Sequence, residues 1–514
     1  MLSKHFRASL NVLAFILLFA SASAQRIFYS EPEKDDTRRT NFDIIGKVGG
    51  NILIFKNNRN DYTLSAYTNE MKLVNTLNVN PNNDKYINVD FVPYADNVWM
   101  IYQYQQKNIL YCMAVKIDAN GKMLSRPLEL DTTRVGNAND NKIYTTVFSE
   151  DKEKIMIFKI NNKNQSNFIF TTLLFDKDLH LTEKHQLNMP MEEKNDYFTD
   201  FLLDNEGTLV FGKYVRKTSN DYVTDLKLVL KSPGASQFTT YDLKTGDRVL
   251  DEVKIKIDNK NKRYVFAAFY YRQKRGNIEG LYLVSWDRGS SSVVKEHLRP
   301  FTDEMRQQAK GPDANLKIAF NDYFIKNFAV KKDGGYIVVA ESMYTSNRGG
   351  GAFNRWDYMG WNNPWASPFN SYYYSPYSYY YGGYGSPYNR WGGSPTRYHA
   401  ENIMIFSFDV YDSLKWSNVI PKTQFDDQTD GLISYQVMNT GGELHFLFNN
   451  YEKRALLLND QSIDADGKIT RKPTLRNLDR NIDFMPRYGK QVSQRSIVMP
   501  CQYKNYLIFA KIDL

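Results

Sequence analysis

One short pattern recurs about eight times between Val48 and Gln502 of this chain. Each copy holds a strand of alternating apolar residues, a turn rich in Gly, Asp or Asn, and a second strand denser in apolar residues. Aligned on the second strand, the copies lie roughly fifty residues apart, apart from two enlarged steps. The aligned positions are Ile52, Val98, Ile155, Leu209, Val265, Ile337, Leu444 and Ile497. The repeat predicts a closed β-repeat protein.

Two further strands follow in each copy, and the last is the most polar. An example is ILYCMAVKID followed by KMLSRPLEL after Gly121, where apolar and polar residues alternate with period two. Radial packing requires such a gradient, because neighbouring blades cover inner strands and solvent meets outer ones. The chain resembles β-propeller repeat proteins in general, of the secreted Gram-negative bacterial type. We expect an all-β fold: one propeller of about eight four-stranded blades, with seven as the alternative.

The last copy has only three strands before the chain stops at Leu514. The segment RIFYSE, from Arg26 to Glu31, has strand composition and precedes the first full copy. We therefore expect this N-terminal strand to complete the last blade and close the ring.

The first 24 residues have the pattern of an export signal. Lys4 and Arg7 form a positive start, an apolar run follows, and Ala22-Ser23-Ala24 is a small-residue cleavage site. We predict a signal peptide over residues 1–24 and a propeller domain over 25–514, exported through the inner membrane to the periplasm or the outside. The apolar run is short for a membrane span, and no other such run occurs. No integral membrane span is therefore expected.

The charge and the cysteine content limit which classes of partner and which cross-links are expected. The formal charge of +9 falls to +7 without Lys4 and Arg7, and the excess is spread over all copies. A nucleic-acid footprint would cluster Lys and Arg, so no nucleic acid is expected, although basic loops could meet anionic surfaces peripherally. Cys112 and Cys501 fall in copies separated by the first blade, so we expect no disulfide.

An insertion over residues 346–400 interrupts the sixth copy. It contains no Val, Ile or Leu, while residues 353–398 hold eleven Tyr, four Trp and two Phe among Gly, Pro, Ser and Asn. This composition favours a loosely ordered loop. Either it is a tolerated insertion folded over the propeller, or its rings contact a partner, since aromatic rings with a polar tip suit interfaces and sugar faces. The ligand-binding candidates are Trp356, Trp361, Trp365, Tyr373, Tyr380 and Trp391.

No catalytic, metal or cofactor signature stands out, so no cofactor is predicted. The histidines are scattered and show no metal-ligand spacing. Asp464-Ala465-Asp466-Gly467 resembles a calcium loop, but Leu475 replaces the glutamate that an EF-hand needs, and a hairpin turn explains the pattern better. Phosphate-loop, dinucleotide and nucleophile-elbow motifs are missing from the sequence.

A single helix is predicted at TDEMRQQAK, with Thr302 as its N-cap. We expect Met305 to pack on the ring and Arg306 and Lys310 to face water.

Two hypotheses of function remain open. The first is a non-enzymatic, exported binding or scaffold protein that uses the propeller as a platform and the insertion as a contact loop for cell-envelope protein or glycan. The alternative is a polysaccharide-active hydrolase or lyase with its site in the propeller mouth, because two suitably spaced carboxylates would suffice. Carboxylates, or His and Tyr with Arg, converging in one pocket would favour the enzyme.

Overall fold

The computed structural model describes residues 26–36, 40–58, 60–80, 84–135, 143–164, 167–191, 196–215, 222–246, 248–274, 276–310, 315–347, 396–427, 431–452, 455–475, 482–504 and 506–514. Within them the chain forms eight separate antiparallel sheets in chain order. This confirms the prediction of an all-β propeller with eight four-stranded blades. The predicted signal peptide and most of the predicted insertion lie outside the described residues.

Two short strands, β1 (Arg26–Tyr29) and β2 (Glu33–Asp36), precede the first blade. The strands of blades 1 to 4 are β3 (Thr40–Val48), β4 (Asn51–Asn58), β5 (Asp61–Tyr67), β6 (Leu73–Asn78), β7 (Tyr86–Pro93), β8 (Asn97–Gln106), β9 (Ile109–Asp118), β10 (Leu128–Arg134), β11 (Tyr144–Phe148), β12 (Lys154–Asn164), β13 (Asn167–Asp176), β14 (Leu181–Pro190), β15 (Asp196–Phe198), β16 (Leu202–Leu203), β17 (Leu209–Val215), β18 (Thr224–Lys231) and β19 (Thr239–Asp242). In blade 4 the innermost strand is split into β15 and β16.

Blades 5 to 8 follow the same order from the inside outward. Their strands are β20 (Val249–Asp258), β21 (Arg263–Tyr271), β22 (Ile278–Asp287), β23 (Ser292–Pro300), β24 (Tyr323–Val330), β25 (Tyr336–Asn347), β26 (Thr396–Phe408), β27 (Leu414–Ile420), β28 (Gln424–Asp426), β29 (Tyr435–Asn439), β30 (Glu443–Glu452), β31 (Ala455–Asp464), β32 (Ile469–Arg471), β33 (Ile482–Phe484), β34 (Lys490–Ser493), β35 (Ser496–Tyr503) and β36 (Tyr506–Asp513). In blade 6, β28 pairs with β26 beyond the end of β27.

Blade 8 is completed by the N-terminal strand, as predicted. Strand β1 pairs antiparallel with β36, with Arg26 opposite Asp513 and Tyr29 opposite Ala510. The Ser30 N–H continues the ladder by donating to the Phe509 carbonyl at 2.8 Å. The ring is therefore closed by hydrogen bonds between the two ends of the described chain.

The core lies between neighbouring blades, which explains why second strands are the most apolar. Every residue of β21 is buried, whereas the outer strand β14 alternates between exposed and covered positions. One apolar cluster joins blade 1 to blade 2 and includes Phe55 and Val89, and another joins blade 5 to blade 6. Cys112 in blade 2 and Cys501 in blade 8 are buried free thiols.

The two faces of the ring differ. Antiparallel order places the first-to-second and third-to-fourth strand turns on one face, which we name the tight-turn face. The second-to-third hairpins and the connections between blades lie on the other, the long-loop face. The helix between β23 and β24 and the predicted insertion between β25 and β26 both belong to the long-loop face. Long loops over a rigid scaffold are where function most often resides.

A recurring aspartate shapes the tight-turn face. In four third-to-fourth strand turns, one carboxylate oxygen accepts the N–H of the residues two and four places on, at 2.8 to 3.0 Å. These aspartates are Asp118, Asp176, Asp409 and Asp464. At Gly121 and Gly467, the fourth turn residue has φ of +82° and +86°, which glycine adopts without strain. The hairpin-turn interpretation of residues 464–467 is confirmed.

The predicted helix is present as α1 (Asp303–Lys310). Thr302 caps it, because its Oγ1 accepts the Met305 N–H at 3.2 Å, and Met305 packs against the core as expected. The expectation that Arg306 and Lys310 face water is wrong. Arg306 is buried and donates to backbone carbonyls, including that of Ile278 at 3.2 Å, and Lys310 is paired with carboxylates. The sequence alone does not distinguish a charged side chain that faces inward from one that faces solvent.

Candidate functional site

The candidate site lies on the long-loop face of blades 6 and 7, where β25 and β26 run past the blade. Their last pairs join Met343 to Ala400 and Asn347 to Thr396. We name the paired residues 343–347 and 396–400 the foot, because they carry the predicted insertion. The outer residues of the range predicted as insertion are thus strand, and residues 348–395 lie between the strands.

An ionic cluster ties helix α1 to the foot. The Lys310 ammonium lies 2.5 Å from an Asp322 carboxylate oxygen and 3.4 Å from one of Glu401. The Tyr344 hydroxyl donates to Glu401 at 2.7 Å, and its ring stacks on His399 with centroids 4.4 Å apart. The cluster therefore joins two separate chain segments at one place.

The protonation states of this cluster follow from burial and pairing. Burial raises the pKa of Tyr344, and hydrogen bonding to Glu401 raises it further, so the phenol keeps its proton. Burial lowers the pKa of His399, so its ring is neutral at pH 7. Burial alone would lower the pKa of Lys310, but Asp322 and Glu401 outweigh it and the net direction is upward. A charged lysine between two acids indicates a tether between α1 and blade 6.

Beside this cluster, two aromatic rings stand exposed to solvent. Phe425 is 44% exposed and Tyr451 is 61% exposed, with ring centroids 6.4 Å apart and planes 23° apart. The Arg397 guanidinium lies 4.4 Å from the Phe425 centroid and forms two hydrogen bonds to Asp427, at 2.5 and 3.0 Å. Phe425 therefore contacts both a cation and a second ring.

These rings border a pocket of about 140 Å³ between blades 6 and 7. Its lining mixes aromatic rings with amide and carboxylate side chains, namely Gln424, Phe425, Asp426, Asp427, Asn449 and Tyr451. Small ligands are bound by this combination of apolar faces and a few placed polar groups.

A buried polar network supports the pocket from beneath. The Glu341 carboxylate pairs with Lys422 at 2.7 Å, and both side chains are at most 1% exposed. Ser434 donates to Glu341 at 2.6 Å, which links blade 6 to the connection entering blade 7. Lys422 also donates to Gln424 at 2.8 Å, and the Gln424 amide donates to the Asn449 carbonyl at 2.8 Å. One wall of the pocket is thus fixed in place.

Several inner strands carry partly exposed charged side chains. Both faces of an inner strand are covered by neighbouring blades, so its partly exposed side chains reach solvent at the channel or its mouths. Such acids occur on the inner strands of blades 1, 2 and 8, and such lysines on those of blades 5 and 6: Asp43, Asp90, Asp483, Lys254 and Lys326. Burial raises the pKa of Asp483. The partly exposed acids of the inner strands therefore come from several blades.

The residues proposed from sequence as ligand contacts lie outside the described residues. They are Trp356, Trp361, Trp365, Tyr373, Tyr380 and Trp391. Sequence reasoning missed Arg397, Phe425 and Tyr451, because they come from different segments that only the ring brings together. The one usable signal was their position next to predicted loops.

Among the described residues, no three His, Cys, Asp or Glu side chains lie close enough together to hold a metal ion. The part of the chain that the structure describes also contains no helix with the length and apolar content needed to cross a membrane.

No family model matches the chain, and no curated protein matches it. Among solved structures, prolyl oligopeptidase B from Galerina marginata is similar with a TM-score of 0.41 and 8% identity, over 92% of this chain and 56% of that one. Synechocystis apocarotenoid oxygenase has a TM-score of 0.36 at 8% identity, over 76% and 75% of the two chains. The polysaccharide lyase Uly1 has a TM-score of 0.37 at 10% identity, over 82% of this chain and 89% of that one. This chain spans little more than half the length of the oligopeptidase. These similarities do not assign a function.

Proposed function

We propose that this chain is an exported, non-enzymatic binding or scaffold protein of the cell envelope. In this proposal the propeller is a rigid platform, and its long-loop face at blades 6 and 7 contacts a protein or glycan. The observation that supports it is the exposed pair Phe425 and Tyr451, with the Arg397 guanidinium over the Phe425 ring. Aromatic side chains fixed before binding lose little entropy when a partner arrives.

The sequence between the two foot strands adds to this argument. Residues 348–395 contain the four tryptophans and most of the tyrosines of the predicted insertion. Of the foot strands that flank them, β26 pairs with β28, which carries Phe425. We propose that Trp356, Trp361, Trp365, Tyr373, Tyr380 and Trp391 extend the contact surface.

The test is capture from a native cell-envelope extract with immobilised residues 25–514 and with the same chain lacking residues 348–395. Mass spectrometry and glycan analysis then identify what is bound. We expect a partner retained by the intact chain and lost by the deletion variant, whose melting temperature should match that of the intact chain. A partner held equally by both would contradict the role given to residues 348–395.

The enzyme alternative is supported by one observation, the approach of Asp322 and Glu401 to the same lysine beside Tyr344 and His399. Capture of an envelope glycan without its cleavage would support the binding protein over the enzyme. New reducing ends or unsaturated sugars released from an envelope glycan would replace the binding proposal with the enzyme.

A further inference from the structure

The exposed apolar side chains of this propeller are divided unequally between its two faces. Ile318, Phe425 and Tyr451 lie on the long-loop face, and every other large apolar side chain that is exposed among the described residues lies at the tight-turn face. The most exposed aliphatic ones of that face lie in the turn before an outer strand or at the start of that strand, in blades 1, 2, 3 and 5. We name them the rim: Leu73, Val74, Leu124, Leu128, Leu181 and Val294.

Each rim side chain is 44 to 56% exposed. Single exposed apolar residues are common on protein surfaces, but a set that is concentrated on one face marks an interaction surface. In every blade the outer strand starts at the tight-turn face, because the strands of a blade alternate in direction. The rim therefore follows the edge of one face, and a flat partner can contact residues of several blades at once.

Hydrogen bonds between blades hold two of the rim turns in place. Asn51 of blade 1 donates to the Ala119 carbonyl in the outer turn of blade 2 at 3.0 Å. Trp99 of blade 2 donates to the Lys177 carbonyl in the outer turn of blade 3 at 2.9 Å. These turns are thus fixed to the preceding blade, and ordering them on a partner costs little entropy.

Exposed bases accompany the aliphatic side chains in blades 1 and 2. Lys72 precedes the rim residues of blade 1, and Lys122 and Arg126 alternate with those of blade 2. None of these three bases forms an ion pair with another described residue. The exposed acids beside them are Glu70 and Glu129, so the bases are in excess. Aliphatic side chains next to bases are typical of surfaces that bind anionic lipid.

We infer that the rim docks this protein on a lipid bilayer that carries anionic headgroups. The aliphatic side chains enter the boundary between headgroups and acyl chains, while Lys72, Lys122 and Arg126 pair with the lipid phosphates. The inference goes beyond the proposed function and concerns the opposite face of the ring. A propeller bound by its rim directs the long-loop face away from the membrane.

The test is co-sedimentation of residues 25–514 with vesicles of phosphatidylcholine alone and with vesicles that also contain phosphatidylglycerol. The anionic vesicles should bind about a hundredfold more tightly, at about fivefold for each of the three bases, and added salt should reduce the difference. The combined variant Lys72→Gln, Lys122→Gln and Arg126→Gln should remove most of it.

The combined variant Leu73→Ser, Leu124→Ser and Leu128→Ser should weaken binding to anionic vesicles about tenfold or more. Its melting temperature should match that of the intact chain, because all three side chains are exposed. Lys317→Gln combined with Ile318→Ser is the matched control, since these neighbours are an exposed base and an exposed aliphatic residue on the long-loop face. The affinity of the control should equal that of the unchanged chain.

A second measurement locates the contact without depending on weakened binding. A polarity-sensitive dye attached to Leu124→Cys should shift its emission to shorter wavelength when anionic vesicles are added. The same dye attached to Ile318→Cys should not shift. The native thiols of Cys112 and Cys501 are buried and should stay unlabelled.

Several results would overturn the inference. They are no sedimentation with anionic vesicles, equal binding to neutral ones, unchanged binding by the leucine variant, or a dye shift at Ile318→Cys alone. If the chain dimerises without lipid and the leucine variant is monomeric, the rim is instead an interface between two copies.

The same variants keep this inference apart from the proposed function. The chain lacking residues 348–395 should bind anionic vesicles as the intact chain does. The variant without the three bases should still capture the envelope partner from an extract cleared of membranes. Loss of vesicle binding with capture intact removes only the membrane contact, and the reverse removes only the proposed function.

Discussion

At the scale of single residues, this propeller buries charged side chains between its blades and pairs them across the gap. Asp131 of blade 2 accepts hydrogen bonds from Lys159 at 2.6 Å and Lys184 at 2.8 Å, both of blade 3. The buried Lys231 of blade 4 pairs with Glu183 of blade 3. Breaking such a pair costs about 3 to 5 kcal/mol, because the remaining charge is left buried. Ion pairs as well as apolar contacts therefore join each of these blades to its neighbour.

Two buried aspartates should contribute to the stability of the fold with opposite dependence on pH. Burial alone would raise the pKa of Asp131, but hydrogen bonds from Lys159, Lys184 and Tyr144 outweigh it and lower the pKa. Burial raises the pKa of Asp412, which contacts Ser285 of the neighbouring blade. Asp131 therefore stabilises the fold above its unfolded pKa of about 3.9, and this contribution is lost as pH falls. The contribution of Asp412 is fully present at low pH and declines as pH rises through its raised pKa.

We expect Asp131→Asn to lower the free energy of unfolding at pH 7 by about 3 kcal/mol, and by less at pH 3.5. Asp412→Asn should change it by less than about 1 kcal/mol at pH 7, since asparagine also tolerates the φ of +59° found there. Urea unfolding of both variants at the two pH values measures the difference. An Asp131→Asn cost that grew toward acid pH would contradict this assignment.

At the scale of elements, the local chemistry of the sequence predicted turns and the helix, but it could not predict which side of an element faces inward. The Asp464 turn and the Thr302 cap depend on neighbours within a few residues, so their patterns are readable in the sequence. The inward direction of Arg306 and Lys310 depends on carbonyls and carboxylates supplied by other blades and connections. The length of the foot likewise follows from pairing between strands that are 48 residues apart in the chain.

Two deletions that differ by four residues should separate the foot from what it carries. Removing residues 348–395 with a short Gly/Ser bridge leaves all described strand pairs in place, so the melting temperature should change little. Removing 348–399 also takes away Arg397 and His399, and with them the contacts to Asp427 and Tyr344. That variant should melt several degrees lower in a calorimetric scan. Equal melting temperatures would show that the foot contributes no stability.

At the scale of the whole molecule, the repeat in the sequence was enough to predict the ring and its closure, while the candidate site was not predictable. Eight copies with the same strand order leave little choice of architecture, and the missing strand of the last copy had one plausible source. The pocket joins Phe425 of one connection to Asn449 and Tyr451 of the next blade. No local pattern marks those residues, because their proximity is a property of the ring.

A separate peptide should be able to replace the closing strand β1. A chain lacking residues 26–36 loses the β1 pairing with β36 and the ion pair of Glu33 with Lys56 of blade 1, so it should melt several degrees lower than the chain starting at residue 25. Adding a synthetic peptide of residues 26–36 should restore the melting temperature by occupying the open edge. A scrambled peptide is the control, and equal rescue by both would contradict the strand-pairing explanation.

The closing contact also governs the order of events during folding. Ser30 and Phe509 are hydrogen-bonded across 479 residues, so β1 must wait for β36 to be made. At synthesis rates of about 5 to 20 residues per second, that delay is roughly half a minute or longer. During this time an unpaired strand can join the wrong neighbour, and the hazard grows with the length of its exposed edge. With only four residues, β1 offers an incorrect partner little to hold before β36 is made.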